Sequence, residues 1–186
     1  MTELLPILVP LPVLLPLMGA GLALVLSKHT RSQNIVSVLT LTAVMVIAFV
    51  VLLGVDQYGP QVVAIGGWEP PEGITLVADR LSALMLVVSS LVTLCVLIYA
   101  LSQDANDDSN ETPISVFNPS YLVLCAGVAN AFLAGDLFNL YVGFEMLLLA
   151  SYVLLTLGAT AERIRAGVTY VVVSLVSSII FLTAIG

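Results

Sequence analysis

GDLFNLYVGFEMLLLASYVLLTLG, residues 135–158, holds one charged residue, Glu145, in an apolar run that is otherwise uncharged beyond Asp136. The run has the length of about 20 residues that a helix needs to cross a bilayer. A carboxyl near the middle of such a helix costs about 2.5 to 3.5 kcal/mol on insertion scales, so it faces a protein interior and commonly serves the movement of ions or protons. The stretch therefore predicts a membrane-spanning helix and names its functional residue.

The rest of the chain fits that solvent. Of 186 residues, 60% are hydrophobic and only 9% charged, too apolar a composition for a soluble core of ordinary proportions. Six long apolar runs are predicted as spans, at residues 4–26, 35–55, 81–101, 117–135, 137–157 and 166–186. Their continuous apolar character excludes barrel strands, which alternate over about 10 residues each. The fold class is an all-α polytopic membrane protein with about six transmembrane helices. Gly135 and Asp136 alone separate the fourth span from the fifth, so these two should form a tight helical hairpin. The first span lacks a basic flank and exceeds a signal-peptide core, and is read as retained. Its Pro6, Pro10, Pro12 and Pro16 predict irregular first turns.

Orientation follows from the basic residues, which are kept on the cytoplasmic side. Lys28 and Arg31 lie in the first loop and Arg163 and Arg165 in the fifth, and six alternating spans put both loops on one face. That face is expected to be cytoplasmic, with the N-terminus outside and the chain in the plasma membrane. The segment 56–80 is then an exterior loop, in which the runs Gln61 to Ile65 and Ile74 to Val77 predict a small β-hairpin and Trp68 an interfacial anchor. Segment 102–115, with Asp104, Asp107, Asp108 and Glu111, is expected to be a polar cytoplasmic loop. The net charge of −7 resides mostly in loops and is read as solvated, and there is no basic footprint for nucleic acid.

Cys95 and Cys125 stand alone in apolar spans, without paired spacing, and are assigned to packing. His29 sits in a short loop and is read as solvated. The sequence offers no cysteine cluster, haem-type spacing or nucleotide loop, so no cofactor and no metal is expected. In the fourth span Gly127, Ala131 and Gly135 make one smooth face for a neighbouring helix. In the sixth, Ser174, Ser177 and Ser178 share a face with Tyr170 and Phe181, and hydrogen bonding to their own helix or to a neighbour is preferred over a water-lined path.

Around Glu145, helical spacing puts Tyr141, Leu148 and Tyr152 on the same face, with Phe138 one turn further back. Burial raises a carboxyl's pKa and a nearby cation lowers it, so a carboxyl under both influences can alternate between protonated and ion-paired states. The competing reading is a Glu that only joins helices. No basic residue lies inside any of the six spans, so a buried partner must come from outside this sequence.

The stretch from Gly135 to Gly158 closely resembles the fifth transmembrane helix of the large subunits of Mrp-type multisubunit cation/proton antiporters, the D-type above all. GITLVADRLSALM, residues 73–85, is similar to that family's entry to its third helix, and AGVTYVVVSLVSSIIFLTAIG, residues 166–186, to its sixth. These subunits are related to the proton-translocating membrane subunits of respiratory complex I and of membrane-bound hydrogenases. The resemblance implies an N-terminus outside and a role for Glu145 in ion translocation, paired with a lysine on a seventh helix. It implies that Thr169 stands where many relatives carry a further lysine. It also implies that the chain is the N-terminal part of a fold of about fourteen helices, so that 186 residues do not make a complete translocation unit. A piece of a longer chain is the expected explanation, with a natural split subunit as the alternative.

The function expected from this reading is that of a transporter subunit, not an enzyme, which exchanges sodium or another monovalent cation for protons. It would work beside other membrane subunits of an antiporter complex. Glu145 is the translocating residue, with Tyr141, Tyr152, Thr169, Ser174, Ser177 and Ser178 as supporting groups. The alternatives are a proton-pumping subunit of a complex-I-like oxidoreductase or hydrogenase, and a non-transporting assembly subunit held by the small-residue face of the fourth span.

Overall fold

The structure is a computed structural model that describes residues 4–67, 73–104, 114–158 and 160–185. Trp68 and residues 105–113 of the acidic segment lie outside the described residues. The elements in chain order are α1 (Leu5–Leu8), α2 (Leu11–Val25), α3 (Thr30–Tyr58), β1 (Gln61–Ala64), β2 (Thr75–Ala78), α4 (Arg80–Asp104), α5 (Ile114–Leu133), α6 (Leu137–Thr156) and α7 (Ala161–Ile185). Among the described residues, six helical segments are long and apolar enough to cross a membrane, with α1 and α2 together forming the first.

Proline chemistry explains the division of that first span. Pro6 and Pro12 occupy the first turns of α1 and α2, where a missing N–H costs nothing, while Pro10 caps α2 and Pro16 sits inside it. The backbone stays in the right-handed helical region through Val9 and Pro10, so the ladder is interrupted without a loop.

Helices α2, α3, α4 and α5 pack around one another, α6 lies against α5, and α7 against α6. Near one end, Val9, Val51, Val55, Leu76, Leu86 and Leu133 bring α3, α4, α5 and β2 into one buried cluster. Toward the other end, Ala20, Leu41, Leu97, Tyr121, Leu122 and Cys125 form a second. The α5–α6 contact is close because Gly143 lacks a side chain: a Cβ there would stand 3.0 Å from Asn130 Nδ2 and 3.3 Å from the Ala131 backbone nitrogen. On the facing α5 a Cβ on Gly127 would stand 3.1 Å from the Leu147 backbone nitrogen, so the small-residue face of the fourth span and Gly143 together let the hairpin of α5 and α6 close.

Strands β1 and β2 pair antiparallel, Gln61 opposite Ala78 and Ala64 opposite Thr75. β2 is buried at Thr75, Leu76 and Ala78, and it extends its pairing to the α5–α6 turn through a bridge between Leu76 and Ala134. Beside it, Arg80 forms an ion pair with Asp56 at 3.1 Å, tying the start of α4 to the end of α3. Both partners are largely exposed, so the pair adds less than about 1 kcal/mol. Asp79 and Ser82 cap α4 reciprocally: Asp79 Oδ1 accepts the Ser82 N–H at 2.6 Å, and Ser82 Oγ accepts the Asp79 N–H at 2.8 Å. The hydrogen bond from the Ser82 backbone, and then that from its hydroxyl, hold the Asp79 carboxyl below the usual carboxylate range.

Candidate functional site

Helix α6 begins at a cap that does two things. Asp136 Oδ1 accepts the Asn139 backbone N–H at 2.6 Å, the N-cap bond that satisfies a free first-turn donor. Its Oδ2 accepts the Thr75 backbone N–H at 3.0 Å and lies 3.3 Å from the Thr75 hydroxyl. Gly135 N–H donates to Thr75 O at 2.9 Å, and Gly135 must lack a side chain, since a Cβ would stand 2.7 Å from Val77 Cγ2. Asn130 on α5 closes the group by donating to both oxygens of Asn139, backbone at 3.1 Å and side chain at 3.0 Å. Buried Asn130, Asn139 and Thr75 are therefore paired, and the cap fixes the start of the helix that carries Glu145.

About two turns into α6, Glu145 meets α7. Ser178 Oγ donates to Glu145 Oε1 and also lies 3.3 Å from the Tyr141 hydroxyl. One hydroxyl holds one proton, so Ser178 can donate to only one of these oxygens at a time, while Tyr141 can donate back. Tyr141 is flanked by stacked Phe181 at a centroid distance of 6.3 Å and by Phe138 at 6.5 Å, and Phe144 meets Phe181 edge-on at 6.1 Å. The carboxyl, two hydroxyls and an aromatic collar make a polar centre in an apolar helix pair.

Glu145 is half-buried in this chain rather than enclosed, because α7 is the one element packed on that side of α6. Among the described residues the one ion pair is that of Arg80 with Asp56, far along the chain from Glu145. The structure brings Tyr141 and Ser178 to Glu145 and leaves other expected supporters elsewhere. Thr169 is exposed and donates to Arg165 O at 3.2 Å, and Ser177 is exposed and donates to Val173 O at 3.0 Å, both within their own helix. Ser174 is half-buried one turn from Ser178, and Tyr152 is half-buried near the end of α6. Of the serines, Ser177 thus bonds its own helix and Ser178 the neighbouring one, at the carboxyl.

Sequence reasoning gave no role to Ser151, whose hydroxyl lies 2.8 Å from the Tyr170 hydroxyl across the same helix pair. It also passed over Asn130, Asn139 and Thr75. The available signal was polar residues inside apolar runs. At the opposite end from the hairpin, Asn118 donates to Asn34 Oδ1 at 2.6 Å and Gln33 donates to Ala23 O at 3.0 Å, which joins α5, α3 and α2. No cluster of three or more His, Cys, Asp or Glu fit to hold a metal occurs among the described residues.

Residues 134–186, the span that contains the whole of α6 and of α7, match the membrane-domain family described as NADH:quinone oxidoreductase/Mrp antiporter. The chain is 36% identical over 178 residues to the D subunit of the Na(+)/H(+) antiporter of Alkalihalophilus pseudofirmus, covering 96% of this chain and 35% of the relative. It is 35% identical over 176 residues to the D subunit of the Bacillus subtilis antiporter, covering 95% and 35%. The structure superposes on the Mrp complex from Dietzia sp. with a TM-score of 0.84 at 31% identity, over 94% of this chain and 32% of that one. It superposes as well on an archaeal membrane-bound sulfane sulfur reductase, with a TM-score of 0.85 at 26% identity, over 94% and 35%. The chain therefore spans about a third of the length of the relatives it matches. Residues 134–186 thus carry the NADH:quinone oxidoreductase/Mrp antiporter membrane-domain match, and in sequence and in fold the chain is similar to the antiporter D subunits.

Proposed function

We propose that the chain is part of the translocating unit of a multisubunit Na(+)/H(+) antiporter, and that Glu145 carries the proton. The observation that supports this most is the carboxyl itself: α6 places Glu145 in mid-span, and α7 meets it with the Ser178 hydroxyl and the neighbouring Tyr141 hydroxyl. A carboxyl kept there against its insertion cost has a use for its charge. Similarity to antiporter D subunits along 95–96% of the chain supports sodium as the exchanged ion.

In this reading the carboxyl binds a proton on one side and releases it when a cation approaches, since an opposite charge within about 4 to 6 Å favours ionisation. That cation charge comes from sequence outside these residues, as none of the six spans holds a Lys or Arg in its interior. The loops with Lys28, Arg31, Arg163 and Arg165 face the cytoplasm and the β1–β2 hairpin faces outward, in the plasma membrane and beside other membrane subunits.

The similarity to the archaeal reductase supports a second reading, in which the chain is part of a pump powered by redox chemistry in neighbouring proteins. One experiment separates the two. In everted vesicles that hold the full-length protein in its complex, added sodium should dissipate an imposed proton gradient without any electron donor. Proton movement that needs an electron donor and ignores sodium would favour the pump.

A further inference from the structure

Helices α6 and α7 run antiparallel with a steady register, in which Tyr141 meets Phe181, Glu145 meets Ser178 and Ser151 meets Tyr170. On α7 Tyr170, Ser174 and Ser178 are four residues apart, hence on one face with their Cα atoms about 6 Å apart along the axis. Two hydrogen bonds of about 2.8 Å laid end to end span about that much, the reach of one bridging water. All three side chains are half-buried, while their neighbours Val172, Val173, Leu175, Val176 and Ile179 are exposed and apolar. On α6 the level between Glu145 and Ser151 is filled by Leu148, which leaves Ser174 as the polar group there among the described residues. Nearer the Gly158 end, Gly167 leaves room for Tyr152: a Cβ on it would stand 3.2 Å from the Tyr152 ring and 2.5 Å from Thr156 Cγ2.

We propose that this seam is a proton relay: Ser178, Ser174, the Tyr170–Ser151 pair and Tyr152 connect Glu145 to the end of the helix pair that holds Gly158 and Arg163. The inference rests on the reading of Glu145 as the proton carrier and adds the route. Each hydroxyl oxygen takes a proton on a lone pair and passes on the one it held, with a water between steps. No hydroxyl is left ionised, and the net change is one proton moved between the Glu145 carboxyl and water at the helix end. The Tyr170–Ser151 contact suits this, since either oxygen can be its donor and the bond can reverse.

The test uses the full-length protein in its assembled complex, with exchange normalised to the amount of complex. Ser174→Ala and Tyr170→Phe each remove one hydroxyl and keep most of the shape. Each should slow exchange roughly tenfold, the effect of one lost hydrogen-bonded step, at an unchanged sodium half-saturation. Ser174→Thr, which keeps a hydroxyl, should restore most of the rate. Wild-type exchange by the double variant Ser174→Ala/Tyr170→Phe would overturn the relay. With Glu145→Gln inactive in the same vesicles, that result would leave the carboxyl's role standing. A loss of rate that Ser174→Thr fails to restore would assign Ser174 to packing and would also overturn the relay.

Discussion

The Asp136 carboxylate caps α6 with one oxygen and holds Thr75 of β2 with the other, so a strand of the hairpin is fastened to the helix that carries Glu145. The hairpin is thereby a brace for the start of that helix and not a free loop.

Removing the brace should show in stability. Asp136→Ala loses the cap and leaves the Thr75 N–H without its acceptor, a cost of about 2 kcal/mol. Asp136→Asn keeps one acceptor oxygen and should lose less. Thermal unfolding of the detergent-solubilised protein checks this, with the Ala variant melting below the Asn variant and both below the wild type.

Asp79 offers a pH test. Its carboxyl is held below the usual range by the Ser82 hydrogen bonds, so the cap's contribution is complete above the unfolded-state pKa of about 3.9 and is lost as pH falls through the lower folded-state value. Asp79→Ala should therefore destabilise the protein by about 1 kcal/mol at neutral pH. The gap to the wild type should close in strongly acidic buffer. A gap that stays constant from pH 7 to below about 3 would contradict the capping role.

Topology can be read by labelling. Ser27 and Gln57 are exposed and lie at opposite ends of α2 and α3. With Cys95 and Cys125 replaced, a membrane-impermeant maleimide added to intact cells should modify Gln57→Cys and spare Ser27→Cys. The reverse pattern would invert the proposed orientation.

The all-α fold with six membrane-crossing helices was legible because the bilayer imposes a length and an apolar composition that few other architectures share. The resemblance to antiporter subunits was legible in the residues around Glu145, for a charge in mid-span is rare enough to make its neighbours distinctive. The Asp136 brace was not, since Thr75 and Asp136 are 61 positions apart and their contact depends on how the hairpin folds over the α5–α6 turn. Helical spacing likewise placed Ser177 and Ser178 on one face, although 100° of rotation sends Ser177 to its own backbone and Ser178 to the carboxyl. Which serine of a pair meets the neighbouring helix is decided by the crossing of α6 and α7, and α7 alone does not contain that information.

Replacement of the Glu145 carboxyl tests the central claim most directly. Glu145→Gln keeps the size of the side chain and an acceptor for Ser178 but cannot titrate, while Glu145→Asp keeps the acid and draws it back by one methylene. In vesicles with equal amounts of assembled complex, sodium-dependent proton exchange should be abolished by Gln and partly retained, with a shifted pH dependence, by Asp. Exchange at the wild-type rate by the Gln variant would contradict the account and leave Glu145 as a residue that joins two helices.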